Sequence, residues 1–261
     1  MGEKYDNRPS GNGEVFTPRD KQSTFLRLRE ILSQFTLEDA LKLETYDRQY
    51  RALEKLFNSL GNGELFLKLV LVNALLSYQL PMKGEDYWET FAEFFSKGKD
   101  LTGFEEFLKL YNNRFLSGKL KRLKKVLKSV EGLSPEKLDH FCKNPEGLLK
   151  YLSESLKQPP NAKTLVFAVK MFLYACRIAG KETAVAPFEM EIPLDVRLKR
   201  IADDYKFWKG LAREVGIPPL HLDVIVWTTM GGNKKFFQSI EDKELREKLL
   251  RLKKVLSDLT C

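Results

Sequence analysis

Residues 164–176 read Thr-Leu-Val-Phe-Ala-Val-Lys-Met-Phe-Leu-Tyr-Ala-Cys. A helix apolar almost all round is one enclosed by other elements, so the rest of the chain has to supply the layers that cover it. Those layers read as helical too. Periodicity near 3.6 predicts helices over 22–34, 37–45, 47–60, 63–79, 85–97, 102–112, 117–131, 135–143, 146–157, 162–179, 196–215, 219–230 and 241–258, and no stretch alternates as a strand does. The expected class is all-α. Thr36 with Asp39, Asp47, Thr102 and Ser134 before Pro135 read as helix starts. Gly61-Asn62-Gly63, Gly180 and Gly231-Gly232-Asn233 read as stops.

A chain of 261 residues with 43% hydrophobic content can bury a full core, as one domain or as two closely packed lobes. Residues 1–21, polar and rich in Gly, Pro and Arg, read as a mobile tail, leaving 22–261 as a single module. The formal charge of +8 favours a polyanionic partner, nucleic acid first. Cys142, Cys176 and Cys261 are far apart in sequence. With only His140 and His221 to help, they make neither a zinc site nor a four-cysteine cluster, so no metal is expected. With no leader segment and no apolar run of about 18 residues, a cytoplasmic, reducing setting and no membrane contact are expected. The 31% charged content is compatible with a heat-adapted source.

The buried helix carries the first chemical signal at its start. Gln158-Pro159-Pro160-Asn161-Ala162-Lys163 reads as a chain break, an Asn cap and a first turn. A lysine amine is unprotonated in only about one molecule in a thousand at neutral pH, so a nucleophilic lysine needs its pKa lowered. Burial, a neighbouring cation or the positive end of a helix dipole can each lower it. Lys163 is placed for this, Phe167 and Lys170 share its face, and Asp195 follows at another helix start after Ile192-Pro193-Leu194. Against this stands a plainer reading: lysines at helix ends reach for water, and Asp195 is what an ordinary N-cap looks like. In 217–227 the helix opens on Pro218-Pro219 and puts Asp223 and Trp227 on one face, where an acid among apolar neighbours needs a partner. The lysine-rich run 119–128 has apolar positions at 120, 123, 127 and 130, making its lysines first of all the wet face of an amphipathic helix; phosphate contact is the alternative.

Taken together, Asp47-Arg48-Gln49-Tyr50-Arg51-Ala52, Asn73 to Tyr78, Gly84 to Trp88, Lys163 to Phe167 with Lys170, Ile192 to Asp195, and Gly216 to Trp227 resemble the archaeal 8-oxoguanine DNA glycosylase family. This is the archaeal branch of the helix-hairpin-helix glycosylases, and the resemblance spans roughly residues 36–230. Gln158-Pro159-Pro160-Asn161 stands where the wider superfamily has a glycine-bearing hairpin. The Asp195–Asp223 segment is shorter than in some members.

The resemblance implies two helical lobes flanking a DNA-binding cleft and a bifunctional enzyme that flips out and excises 8-oxoguanine, then cuts the strand by β-elimination. Lys163 would be the nucleophile and Asp195 its catalytic partner. Trp88 and Trp227 would sandwich the purine, Gln49, Lys170 and Asp223 would read its edge, and Phe167 would shape the wall. No cofactor is implied. The implied partner is DNA containing 8-oxoguanine, double-stranded or single-stranded, and the implied state is a monomer. Alternatives are a non-catalytic helical DNA-binding module and a glycosylase for a different lesion, such as thymine glycol or mismatched adenine.

Overall fold

The structure, a computed structural model, describes residues 18–260, and its regular secondary structure is entirely helical. The chain starts in one lobe with α1 (Pro18–Leu32) and α2 (Leu37–Glu44). It then builds the other from α3 (Arg48–Leu60), α4 (Gly63–Leu76), α5 (Gly84–Phe95), α6 (Phe104–Tyr111), α7 (Leu116–Val130), α8 (Pro135–Lys143), α9 (Pro145–Leu156) and α10 (Lys163–Ile178). It returns to the first lobe with α11 (Val196–Lys199), α12 (Tyr205–Val215), α13 (Pro219–Gly231), α14 (Lys234–Ser239) and α15 (Lys243–Thr260). Each lobe has its own apolar core. Phe66, Trp88, Phe91, Leu152 and Phe172 belong to one, and Leu28, Leu43, Trp208, Ile225 and Leu249 to the other. The 164–176 run lies inside α10, where Leu165, Val169, Phe172 and Cys176 are fully buried.

Local chemistry sets most boundaries. Thr36 and Asp39 close a capping box on α2, Asp47 caps α3, Ser134 caps α8, and Gly61 ends α3 at φ 62°, a left-handed conformation that a residue without a Cβ takes at little cost. Four expectations are corrected. The helix expected over 63–79 stops at Leu76 because Asn112 donates to the Leu76 carbonyl at 2.9 Å and Arg122 to that of Leu75 at 2.9 Å, drawing residues 77–83 into a loop. The helix expected over 196–215 is two. Asp204 caps α12, and Trp208 Nε1 donates to the Ala202 carbonyl at 2.9 Å, which fixes the break. Asn233, read as part of a stop, starts α14, and Asp100 rather than Thr102 caps the 3-10 turn Leu101–Gly103. The tail expected over 1–21 lies largely outside the described residues. Its last four positions already belong to α1, where Lys21 pairs with Asp204.

The expectation of a reducing setting meets a disulfide. Cys142 of α8 and Cys176 of α10 have Cα atoms 5.7 Å apart and are bonded; Cys261 lies outside the described residues. Their separation of 34 residues hid the pairing, which only the packing of α8 on α10 creates. The bond runs against that expectation, since disulfides persist in oxidising compartments and, as an exception, in the disulfide-rich intracellular proteins of hyperthermophiles. Closing a loop of this length stabilises by about 3 to 4 kcal/mol in the chain-entropy account. We expect Cys142→Ala/Cys176→Ala to lower the urea midpoint accordingly; an unchanged midpoint would show that the crosslink restrains little.

Candidate active site

Helix α10 begins where two prolines make continuation of α9 impossible, because the residue before a proline is pushed out of the helical region. Lys157 takes a left-handed conformation at φ 51°, Ser153 Oγ donates to the Gln158 carbonyl at 2.6 Å, and Ala162 N–H donates to the Pro159 carbonyl at 2.9 Å. The result is a tight hairpin between α9 and α10. Asn161 is not the cap it was expected to be: Ala162 occupies that position, and no side chain accepts from the first turn. No side-chain cap therefore covers the positive dipole end of α10 at Lys163.

Lys163, Phe167 and Lys170 follow one another on a single face of α10 and line a cavity of about 130 Å³. Gln49 from the start of α3, Trp88 from α5, Asp195 at the cap of α11, and Asp223 and Trp227 from α13 complete it, with Ser77, Leu80, Gly84 and Pro193. All eight residues singled out from the sequence thus meet in one space between the lobes. Trp88 is fully buried, with its ring 6.2 Å from that of Phe167. The Gln49 side-chain amide makes no hydrogen bond within the described protein, although the residue is only 3% exposed.

The two lysines differ electrically. Burial pushes the Lys163 amine below its ordinary value, and the Asp195 and Asp223 charges only partly oppose this. One side of Lys163 faces solvent, and no carboxylate closes an ion pair on it. Lys170 is 3% exposed, and burial alone would lower it. The surrounding carboxylates of Asp223, Asp47 and Glu44 outweigh that burial, so its pKa is raised and it remains an ammonium. Its Nζ donates to Asp223 Oδ2 at 2.5 Å. Burial in turn lifts Asp223 to about 6, and Asp223 Oδ1, buried at the same cavity, has no hydrogen-bond partner.

Asp195 is an N-cap and a site residue at once. Its Oδ1 accepts from the backbone N–H of Arg197 and Leu198 at 2.9 and 3.0 Å, and its Oδ2 accepts from Trp227 Nε1 at 2.8 Å. Sequence reasoning missed what holds this arrangement. The Arg197 guanidinium lies 4.2 Å from the Trp227 ring centroid and donates to Glu85 Oε1 at 2.8 Å. A Cβ at Gly231 would stand 2.6 Å from Arg197 Nη1, so a larger residue there would push the guanidinium from its place. Trp227 is in this way a wall between the first cavity and a larger one of about 360 Å³ that Arg197, Glu85, Arg48 and Phe236 help to line. Asp47 was read as a cap only. Its Oδ1 accepts from Gln49 N–H at 2.9 Å, its Oδ2 accepts from Tyr174 O–H at 3.2 Å, and so it ties Gln49 to α10.

The AGOG family, described as N-glycosylase/DNA lyase, matches residues 29–259. This chain belongs to the AGOG family. Among its relatives, the N-glycosylase/DNA lyase of Nanoarchaeum equitans is 40% identical over 233 residues, covering 89% of this chain and 98% of that protein. The N-glycosylase/DNA lyase of Thermococcus kodakarensis is 39% identical over 229 residues, covering 82% of this chain and 87% of its own. A crystal structure of the AGOG 8-oxoguanine DNA glycosylase from Pyrobaculum aerophilum, complexed with 8-oxoguanosine, superposes with a TM-score of 0.69 at 31% identity, over 87% of this chain and 96% of that one. This AGOG protein is an all-α helix-hairpin-helix enzyme, an N-glycosylase and DNA lyase that acts on DNA. Among the described residues no helix is long and apolar enough to cross a membrane.

Proposed function

We propose that this enzyme excises 8-oxoguanine from DNA and then cuts the strand, with Lys163 as the nucleophile. The supporting observation is the pair of lysines on one helix face with opposite electrostatics: one amine lowered and unpaired, the other held as an ammonium. A neutral Lys163 Nζ attacks C1′ of the flipped nucleotide, and the bond from C1′ to the base breaks, the electron pair leaving with the base. Asp195 lies close enough to feel the amine's charge; it balances the positive sugar and takes a proton from the new ammonium. Opening of the C1′–O4′ bond gives a Schiff base. Loss of a C2′ proton then expels the 3′ phosphate, and water releases the lysine.

Reading of the base follows from unmet hydrogen bonds. In 8-oxoguanine N7 carries a hydrogen that guanine lacks, so an acceptor from the free Gln49 amide finds its donor only in the lesion. The unpaired alternative costs about 1 to 3 kcal/mol. Asp223 Oδ1 is a free acceptor for the N–H groups of the purine edge, oriented through the Lys170 pair. Trp227 and Phe167, both part-exposed at the cavity, offer ring surface for stacking, worth about 1 to 3 kcal/mol per base, which helps repay the cost of removing the base from its stack; Trp88, expected as the second stacking ring, is fully buried and backs Phe167. The proposed substrate is duplex DNA, bound by a monomer that forms one module from α1 onward.

Borohydride trapping tests this reading. With labelled 8-oxoguanine duplex we expect a covalent protein–DNA adduct that unlabelled 8-oxoguanine duplex suppresses and thymine glycol or mismatched-adenine duplex does not. Absence of any adduct overturns the lysine mechanism, and equal suppression by another lesion overturns the substrate.

A further inference from the structure

The lysine run 119–128 is not one wet face, as the sequence pattern suggested. It divides by direction. Lys119 is fully buried: its Nζ bonds to Asn112 Oδ1 and reaches the carbonyls of Gln79 at 3.3 Å and Asn112 at 3.4 Å. Arg122 donates to the carbonyl of Leu75, to Gln158 Oε1 at 2.9 Å and to Thr164 Oγ1 at 3.3 Å. These two cations are internal clamps on the 75–80 segment and the hairpin.

Lys121, Lys124, Lys125 and Lys128 are exposed, and no carboxylate among the described residues closes an ion pair on them; Lys124 feels Glu105 only at longer range, and α7 itself carries no acid. At three other lysines the pattern is different. Lys97, Lys109 and Lys150 each have a glutamate one helical turn away within 4.0 Å. On α7 the residue four before Lys125 is Lys121, and the residue four before Lys128 is Lys124. Like charges at this spacing destabilise a helix by a few tenths of a kcal/mol, roughly 0.2 to 0.5 per pair. Within α7 the repulsion has no relief, and an external polyanion would remove it. A second observation points to where that anion sits. A cavity of about 290 Å³ lies between α7 and the hairpin, lined by Gly118, Lys121, Arg122, Lys125, Leu156 and Gln158. Arg122 joins it to Thr164, the neighbour of Lys163.

We infer that the outer face of α7 is a seat for the phosphodiester backbone of DNA next to the lesion, with Lys121 and Lys125 holding a phosphate over this cavity and Lys124 and Lys128 extending the track. The inference rests on the proposed DNA-repair reading. From Lys121 to Lys128 the helix rises about 10 Å at 1.5 Å per residue, which matches about three phosphates at 3.4 Å of axis each.

The test is the salt dependence of duplex binding by the full chain. Each lost phosphate contact lowers the slope of log K against log salt by about 0.9. Lys121→Ala/Lys125→Ala, which gives up that phosphate, should therefore flatten the slope by about 0.9, so that between 50 and 200 mM salt it loses about threefold less affinity than the unaltered protein. Lys97→Ala/Lys150→Ala, which removes the same net charge, should keep the original slope. An unaltered slope in the α7 pair, or an equal change in the control pair, overturns the seat. Failure of the unaltered protein to excise 8-oxoguanine, with the α7 effect present, would instead sink the substrate reading and leave the seat standing.

Discussion

Lys163→Gln should abolish excision, with single-turnover rates falling by about four orders of magnitude or more, the scale on which removing a covalent nucleophile acts. Glutamine keeps the length and polarity of the side chain but cannot form an imine, so the borohydride adduct should vanish while binding to lesion duplex changes little. The unaltered protein supplies the complementary signature. Because burial lowers the Lys163 amine, log rate should climb with pH and level off before the ordinary lysine value of 10.5 is reached. A rate still climbing through that value would mean that the amine is not activated. Retention of the adduct in Lys163→Gln would move the chemistry to another residue, Lys170 being the first to examine.

Lys170→Met should cost about 3 to 5 kcal/mol of stability, because it strands Asp223 as a buried charge without a counter-charge. The pH dependence carries the sign. Asp223 is already raised to about 6 by burial, and Lys170 is the largest force holding it down. Without Lys170 the folded-state value rises further. A carboxyl raised in the folded state contributes stability below its unfolded value of 3.8 and loses it as pH climbs through the folded value. The destabilisation of Lys170→Met should therefore be largest at pH 8 and shrink toward pH 5, as read from urea midpoints across that range. Lys170→Met/Asp223→Leu should recover most of the stability and none of the excision. Recovery of both would make the pair a structural element only, and an equal loss at both pH values would mean that Asp223 keeps its charge without Lys170.

The legibility of the site from sequence followed the range of the interactions involved. Spacing along one helix is local, so Lys163, Phe167 and Lys170 could be placed on one face, and Asp223 with Trp227 on another, before any packing was known. The capping box on α2 and the glycine stop at Gly61 were legible for the same reason. The helix breaks at 76 and 200–204 were not, because they depend on Asn112, Arg122 and Trp208 reaching carbonyls that are distant or out of pattern. Lys119 looked like its neighbours in the run and is the one that turns inward, since the acceptors that make burial tolerable come from other segments. Arg197 carried no signal at all. Its role needs Glu85, Gly231 and Trp227 around it, and these meet only when the lobes do.

By itself, then, the amino-acid order determined an all-α chain built around one enclosed helix with a lysine at its start, because periodicity, capping and proline breaks act within a few residues. Tertiary structure alone decided the electrical difference between Lys163 and Lys170, the crosslink between Cys142 and Cys176, and the brace on Trp227. Each of these depends on burial and on charges from remote segments, and a pKa or a pairing is a property of what surrounds a group rather than of its place in the chain.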